Sequence, residues 1–310
     1  MRIAVTGAAG RLGRTLTGRL AERGHTVVPI DVAPPVSLPL SDRDGLIAAC
    51  ADTDVVVHLA ARMSWQRTDD AALFETNVLG TANVAEAAAL AGAKLVLAST
   101  GEVYPEGNPV YQPLDEDHPR APTSAYGLTK KLAEDTVDFY RRTRGLEAVV
   151  LRFSHFQDAA ELLDPDSFFS GPRFFLHRKI EQQRAFGNAA AVAALEPHDD
   201  GTTKLVLSRG EDGTPFRMGI LDTRDLASGV VAAVETPGLD GEVIGLGADD
   251  SVDFDWLVPE LAHRAGLNYV DVRLPGPAVH YTTSNAKARE LLGFTVEFPV
   301  SRMIAEAEPR

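Results

Sequence analysis

The stretch Gly7-Ala8-Ala9-Gly10-Arg11-Leu12-Gly13 constrains the fold more than any other part of the chain. It follows a short apolar run, Arg2 to Thr6, and precedes a helix-forming stretch that ends at Arg23-Gly24. Glycine recurring as Gly-x-x-Gly-x-x-Gly between a strand and a helix permits a tight turn. It also lets backbone approach a pyrophosphate and lets the helix pack closely on the sheet. The helix N-terminus then faces the phosphates. The next strand, His25 to Ile30, ends in Asp31. An acidic residue there, about 20 residues past the glycines, suits the ribose 2′-hydroxyl of NAD and repels the 2′-phosphate of NADP. The stretch predicts an NAD-binding unit, with NADP disfavoured although Arg11 is present.

The first half of the chain continues the alternation of strand and helix. Asp54 to Ala61, Lys94 to Ala98 and Leu146 to Phe153 read as apolar strands without a polar face, the pattern of strands covered on both sides. Before and between them lie helical stretches at Gly45–Ala51, Ala71–Ala91 and from Ser124 to Arg144. This order predicts an α/β fold, a Rossmann-type doubly wound parallel sheet. Ligands gather beyond the carboxyl ends of such strands, where Thr6, Asp31, His58, Ser99, Thr100 and Phe153 stand. The proline-rich stretches Val32–Leu40 and Pro105–Thr123 read as loops. Arg62 to Asp70, with Trp65, reads as a surface loop near a ligand mouth.

Beyond Ser154 the pattern loosens. A helix is expected over 172–187, short strands over 205–208 and 218–221 about a turn at 210–213, and a helix over 225–235. A strand over 242–246 and helices over 256–266 and 285–292 follow. Residues 1–153 are expected to form the NAD-binding domain, with further sheet and helix contributions near 216–246. Residues 154–215 and 247–310 are expected to form a smaller, discontinuous C-terminal lobe for the substrate.

The formal charge of −14, from 30 Lys plus Arg against 44 Asp plus Glu, argues against a broad basic surface and so against nucleic acid as a partner. Cys50 is the only cysteine, so no intrachain disulfide is possible, and its apolar neighbours mark it as a core residue. No apolar run approaches the ~20 residues of a membrane span or the length of a signal peptide. A cytoplasmic protein without a membrane partner is expected. The histidines His58, His118, His155, His177 and His198 show no ligand spacing, so no metal is expected.

Tyr126 and Lys130 are four residues apart in a helix-forming stretch, which puts them side by side on one face. An ammonium beside a phenol favours the phenolate, so such a pair can take a proton from an alcohol near neutral pH.

Taken together these motifs resemble the extended short-chain dehydrogenase/reductase family, in its NAD-dependent epimerase/dehydratase group, over nearly the whole chain. The matching pieces are Thr6-Gly7-x-x-Gly10-x-x-Gly13, Asp31, His58-Leu59-Ala60-Ala61, Asn77-Val78-x-Gly80-Thr81 and Ser99-Thr100-x-x-Val103-Tyr104. Glu116-Asp117-His118-Pro119, Tyr126-x-x-x-Lys130, Arg152, Arg217, Asp222-x-x-Asp225-Leu226-Ala227 and Lys287-x-x-x-Leu291-Leu292-Gly293 complete the match. The resemblance implies that Tyr126 is the general acid/base, that Lys130 lowers its pKa and binds the nicotinamide ribose, and that Thr100 bonds the reacting oxygen. Glu102 matches an acidic residue of sugar-nucleotide dehydratases. Cofactor contacts are implied for Gly7, Gly10, Arg11, Leu12, Gly13, Asp31, Val32, Leu40, Leu59, Ala60, Ala61, Asn77, Ala98, Ser99, Tyr126, Lys130, Phe153 and His155. Substrate contacts are implied for Thr100, Glu102, Tyr126, His155 and Arg217. A homodimer through the Ala71–Ala91 and Tyr126–Arg144 helices is also implied.

The chain departs from the family at several positions. Pro39 stands where many relatives have an Asp that meets adenine, and Gly101 replaces the Asp that dehydratases pair with their acid. His155-Phe156-Gln157-Asp158-Ala159 stands where relatives continue Asn-Val-Tyr-Gly-Pro after the arginine. The expected activity is hydride transfer between NAD and a secondary alcohol or carbonyl carbon of a sugar-like small molecule, nucleotide sugars included. A net dehydrogenase or ketoreductase acting on a non-nucleotide polar substrate is the alternative. A non-catalytic dinucleotide-sensing regulator is the alternative of another class.

Overall fold

The computed structural model describes residues 1–34, 37–105 and 109–308. Pro35, Val36 and Glu106–Asn108, within the two proline-rich stretches, lie outside the described residues, as do Pro309 and Arg310. The chain opens with β1 (Arg2–Thr6), α1 (Arg11–Glu22), β2 (Thr26–Ile30), α2 (Arg43–Cys50) and β3 (Val55–His58). It continues with α3 (Asp70–Phe74), a π-turn at Glu75–Leu79, α4 (Gly80–Ala91), β4 (Lys94–Thr100), α5 (Ala125–Arg144) and β5 (Ala148–Phe153). Then come β6 (Phe156–Gln157), α6 (Ser170–Phe174), α7 (Leu176–Ala185), α8 (Ala189–Leu195), β7 (Lys204–Arg209), β8 (Arg217–Gly219) and β9 (Leu221–Asp222). Last are α9 (Thr223–Glu235), β10 (Val243–Leu246), β11 (Ser251–Asp253), α10 (Phe254–Ala265), β12 (Asn268–Arg273), α11 (Ala286–Leu292) and α12 (Val300–Glu306).

Two compact units result. The first comprises Met1–Ser154, Thr223–Gly247 and Ser284–Thr295. Its six strands form one sheet in the order β10-β5-β4-β3-β1-β2, and every pairing is parallel. This is the doubly wound sheet expected from the apolar strands. β3, β4 and β5 are buried almost throughout, as a parallel sheet covered on both faces requires. The order reverses at β1, which has β2 on one side and β3 on the other, and ligands bind at such a switch point. A core under α2, α4 and α5 joins Leu46, Cys50, Val84, Ala88 and Val137 to Ala4, Ile30, Val56 and Leu95 of the sheet. Cys50 is a core residue as expected, and burial pushes its thiol up to about 11.

The second unit comprises His155–Asp222, Ala248–Thr283 and the chain from Val296 onward. It holds three two-stranded ladders, β11 with β8, β12 with β7, and β6 with β9. Several boundaries differ from expectation. The helix expected over 172–187 breaks at Phe175, whose backbone is extended between α6 and α7. After the turn at 210–213 the chain meets the end of β7 at the antiparallel bridge of Arg209 with Pro215, while β7 takes β12 as its parallel partner along its length. α11 and its flanks, expected in the substrate lobe, cluster with the first unit. There the Asn285 side chain bonds both the N–H and the carbonyl of Gly247 (2.9 and 2.8 Å), and Lys287 meets Glu242 at 2.7 Å. β8 and β9, expected to extend the NAD-binding domain, belong to the second unit through their pairing with β11 and β6.

Within the first unit α5 is fastened to the sheet by a buried ion pair. Glu134 accepts from Arg152 Nε at 3.0 Å and Nη2 at 2.9 Å, and from Ser99 Oγ at 2.5 Å. Arg152 Nη1 also donates to the Tyr104 hydroxyl and to the carbonyl of Glu116 (2.8 and 3.1 Å). Removing one partner of such a pair strands the other charge in low dielectric, at a cost of about 3–5 kcal/mol. Glu134→Ala is expected to lower unfolding stability by that amount in a urea titration, and Arg152→Met with Glu134→Leu to recover most of it.

Candidate active site

β1 ends in a turn that only glycine can make. Gly7 has φ +72, and a Cβ there would lie 2.8 Å from the nitrogen of Ala60. At Gly13 a Cβ would fall 2.1 Å from the Gly7 carbonyl oxygen, and at Gly10 3.1 Å from it. The turn closes through Gly10 N–H to the Gly7 carbonyl (3.0 Å) and hangs on β2 through Gly7 N–H to Ile30 (2.9 Å). Gly10, the N-cap residue, gives α1 no side-chain cap, the condition in which a helix N-terminus takes a phosphate. Beside it, the Asp31 carboxylate accepts from the N–H groups of Ala9 (2.9 Å) and Ala33 (3.0 Å). A cradle closed to any Cβ, an uncapped helix start and a carboxylate at the loop rim fit a dinucleotide.

The residues expected around that cradle are distributed unevenly. Leu12 is buried in the face of α1, Arg11 is half-buried and Val32 exposed. Leu40 packs into the core against Gly80, and its carbonyl accepts from Asn83. Leu59, Ala60 and Ala61 follow β3, with the Ala60 backbone pressed on Gly7. Ala98 and Phe153 are buried near the ends of β4 and β5. Ser99 sends its hydroxyl to Glu134 rather than outward. Asn77 is buried in the π-turn, its amide bonded to Arg62 and Thr129.

The head of α5 carries Tyr126 and Lys130. Ser124 is the N-cap, its Oγ accepting from Gly127 N–H at 2.9 Å. Gly127 stands where a Cβ would lie 2.3 Å from the Glu102 carbonyl oxygen. Glycine there lets the 3-10 turn Gly101–Val103 rest directly on α5. That turn starts at Thr100, whose Oγ1 accepts from Glu102 N–H at 3.2 Å. The Glu102 carboxylate accepts from Ser124 Oγ (2.6 Å) and from the indole N–H of Trp65 (3.2 Å). Burial raises the pKa of Glu102 against those two bonds. The Trp65 ring meets Tyr126 edge-on, centroids 6.3 Å apart. Thr100, Glu102 and Tyr126 are thereby brought together, with Trp65 and Ser124 as partners that motif spacing does not show. The Ser124 cap alone was legible, as a polar residue directly before a helix.

Lys130 is buried, and desolvation lowers its pKa to about 8, with Glu134 opposing. His58, fully buried, is pushed down to about 3 by burial and by the Lys130 charge. His155 and Arg217 lie in the second unit. His155 Nε2 is 2.9 Å from Arg173 Nη1 and from Gln157 Oε1. The Arg217 guanidinium stands 3.7 Å from Asp253 on the neighbouring strand.

The chain is similar to several known proteins. Residues 3–168 match the model of the NAD dependent epimerase/dehydratase family. A UDP-glucose 4-epimerase of Mycolicibacterium smegmatis is 37% identical over 270 residues, 76% of this chain and 84% of that protein. A putative UDP-glucose 4-epimerase of Methanocaldococcus jannaschii is 31% identical over 198 residues, 58% of this chain and 64% of that protein. That match spans less than two thirds of the relative. A short-chain dehydrogenase/reductase superfamily protein from Agrobacterium tumefaciens, solved with bound NAD, is 46% identical, with a TM-score of 0.94 over 99% of this chain and 95% of that one.

A buried ammonium costs stability while it is charged. Below pH 8 both folded and unfolded chains carry it, and the folded state bears the desolvation. Between pH 8 and its ordinary 10.5 the unfolded chain binds the extra proton, so the penalty fades as pH rises. Lys130→Met is therefore expected to be more stable than the wild type at pH 7 by roughly 2–3 kcal/mol. Urea titrations should show the gap closing as the pH is raised from 8 towards 10.

Proposed function

This chain belongs to the NAD dependent epimerase/dehydratase family, and we propose that it is an enzyme moving hydride between NAD and a secondary alcohol or carbonyl carbon of a sugar-like substrate, with Tyr126 as acid/base. The observation that carries the reading is the convergence of Thr100, Glu102 and Tyr126 at the head of α5, with a buried Lys130 one turn on.

Gly7, Gly10 and Gly13 would hold the dinucleotide phosphates and Asp31 the adenosine ribose, while Leu59, Ala60, Ala98 and Phe153 would line the cofactor. NAD, when bound, supplies the centre that accepts or returns the hydride. Tyr126 then takes the proton of the substrate hydroxyl as the attached carbon gives up its hydride, and returns it in the reverse step. The Lys130 ammonium favours the phenolate by charge. Thr100 Oγ1 already accepts the Glu102 N–H, which leaves its own proton for the reacting oxygen. Glu102, its pKa raised by burial, is a carboxyl that can hold a second proton. Gly101 gives it no neighbouring acid, so transfer at one carbon is favoured over elimination.

Nucleotide sugars are the first substrate class for His155 and Arg217 to receive. A net dehydrogenase acting on a non-nucleotide substrate is the second reading, favoured by His155, hydrogen-bonded to Gln157, where relatives place Asn. A homodimer is proposed through α4 and α5, because Leu79 with Leu90 and Leu128 with Phe139, each pair three turns apart on one face, are exposed. The acidic chain with a single buried cysteine suits the cytoplasm.

The test is incubation with NAD and a panel of UDP-sugars, free uronic acids and polyols, following reduced nicotinamide and product mass. An isomerised product without net reduction identifies an internal redox cycle, and accumulating NADH a dehydrogenase. Tyr126→Phe is expected to lower kcat by about 10²–10⁴-fold while NAD binding, read by calorimetry, is retained. Full turnover in that variant would sink the mechanism, and NAD binding without any turnover across the panel would favour a sensor.

A further inference from the structure

We propose that His58 is a positioning residue for the acid/base helix: a neutral imidazole protonated on Nε2, whose ring ties the ends of β1 and β3 to the Tyr126–Lys130 turn through Thr81, Asn77 and Thr129. This rests on the reading of Tyr126 and Lys130 as the proton-transfer pair.

The direction of every bond follows from groups that cannot reverse. The Asn77 carbonyl can only accept, and Thr81 Oγ1 donates to it at 2.6 Å. That commits the single hydroxyl proton of Thr81, so His58 Nε2, 3.0 Å from the same oxygen, is the donor. A neutral ring then carries its acceptor on Nδ1, and Thr6 Oγ1 donates to it at 2.7 Å. Thr6 in turn accepts the N–H of Ala60, the residue against which Gly7 packs, at 3.2 Å. The second leg is equally determined. Thr129 Oγ1 donates to the Tyr126 carbonyl at 2.8 Å and so accepts from Asn77 Nδ2 at 3.0 Å. The amide of Asn77 cannot be turned over, because its Oδ1 accepts from Arg62 N–H (2.8 Å) and its Nδ2 donates to Arg62 O (2.9 Å).

Thr6, His58, Asn77, Thr81 and Thr129 are each 1% exposed or less, so water does not compete for these bonds and a reversed member would leave a neighbour unsatisfied. Imidazole suits the position because it offers a donor and an acceptor at opposite ends of one rigid neutral ring. The charged group that acts on it is Lys130, which disfavours its protonation. The bonds therefore connect the glycine turn to the one stretch of α5 that performs the chemistry. Placement errors of ~1 Å there cost up to about a hundredfold in rate.

The test uses the full chain, isotope-labelled, with and without saturating NAD. Long-range proton–nitrogen spectra are expected to show His58 with a protonated Nε2 and a bare Nδ1, unchanged from pH 8 to 5. A proton on Nδ1, or titration within that range, overturns the proposal. In parallel, Thr81→Val is compared with Thr81→Ser. Thr81→Val is expected to lower kcat at least roughly tenfold with KM for NAD within about twofold, and to quicken amide exchange at Thr129 and Lys130 more than along the rest of α5. Thr81→Ser is expected to restore both. A folded Thr81→Val with wild-type kcat, or exchange quickened evenly along α5, overturns it. Should Thr81→Val fail to fold, the state of the wild-type ring decides. A correct ring beside an active Tyr126→Phe variant would count against the Tyr126 reading alone.

Discussion

The first unit of this molecule depends on main chain lying directly against main chain. Gly7 rests on the backbone of Ala60, Gly13 on the carbonyl of Gly7, and Gly127 on the carbonyl of Glu102. Each contact removes the layer that a Cβ would occupy. The first two bring the start of α1 up to the strand ends, and the third lays the Thr100–Val103 turn on the head of α5. Tertiary placement is set here by exclusion of side chains rather than by their attraction. Hydrogen bonds accepted by Ser124 and Thr100 and donated by Trp65 then hold what the glycines permit.

Charge burial follows from the same closeness. Lys130 is buried, and its ammonium is desolvated while Glu134, which acts on it by charge, is bonded to Arg152 and Arg120. The arrangement is unfavourable for the fold while the ammonium is charged. Lys94 shows the contrasting case. It is also buried, yet its ammonium donates to the carbonyls of Ala233 and Thr236, one at the end of α9 and one just past it, both at 2.8 Å, and so serves the fold instead.

What could be read from the sequence follows from what is local. The glycine spacing, Asp31, and Tyr126 with Lys130 are set by neighbours within a few residues, and the parallel sheet by unbroken apolar strands. The pairing of β7 with β12 was not legible, because sixty-odd residues separate the partners and periodicity carries no address. The break at Phe175 was hidden because no glycine or proline stands at it, the nearest being Pro172 and Gly171 in the turn before. α11 was misassigned because its membership depends on Asn285 reaching Gly247, a contact no pattern announces. Ser99 and Leu40 were recognised by position, but which way each side chain turns was decided by Glu134 and Gly80.

The π-turn at Glu75–Leu79 separates α3 from α4 without interrupting the helix. A turn of this kind holds one residue more than an α-turn, so the faces on either side are offset by about 100° relative to a regular helix. Asn77, within this turn, bonds both Arg62 and Thr129. The phase of this helix is therefore a property of chain length, not of composition. Point substitutions can weaken the bonds that Asn77 makes, but removal of a single residue would rewind the helix and rotate the amide off its partners at one stroke. Variation in this segment should tolerate changes of letter far better than changes of count.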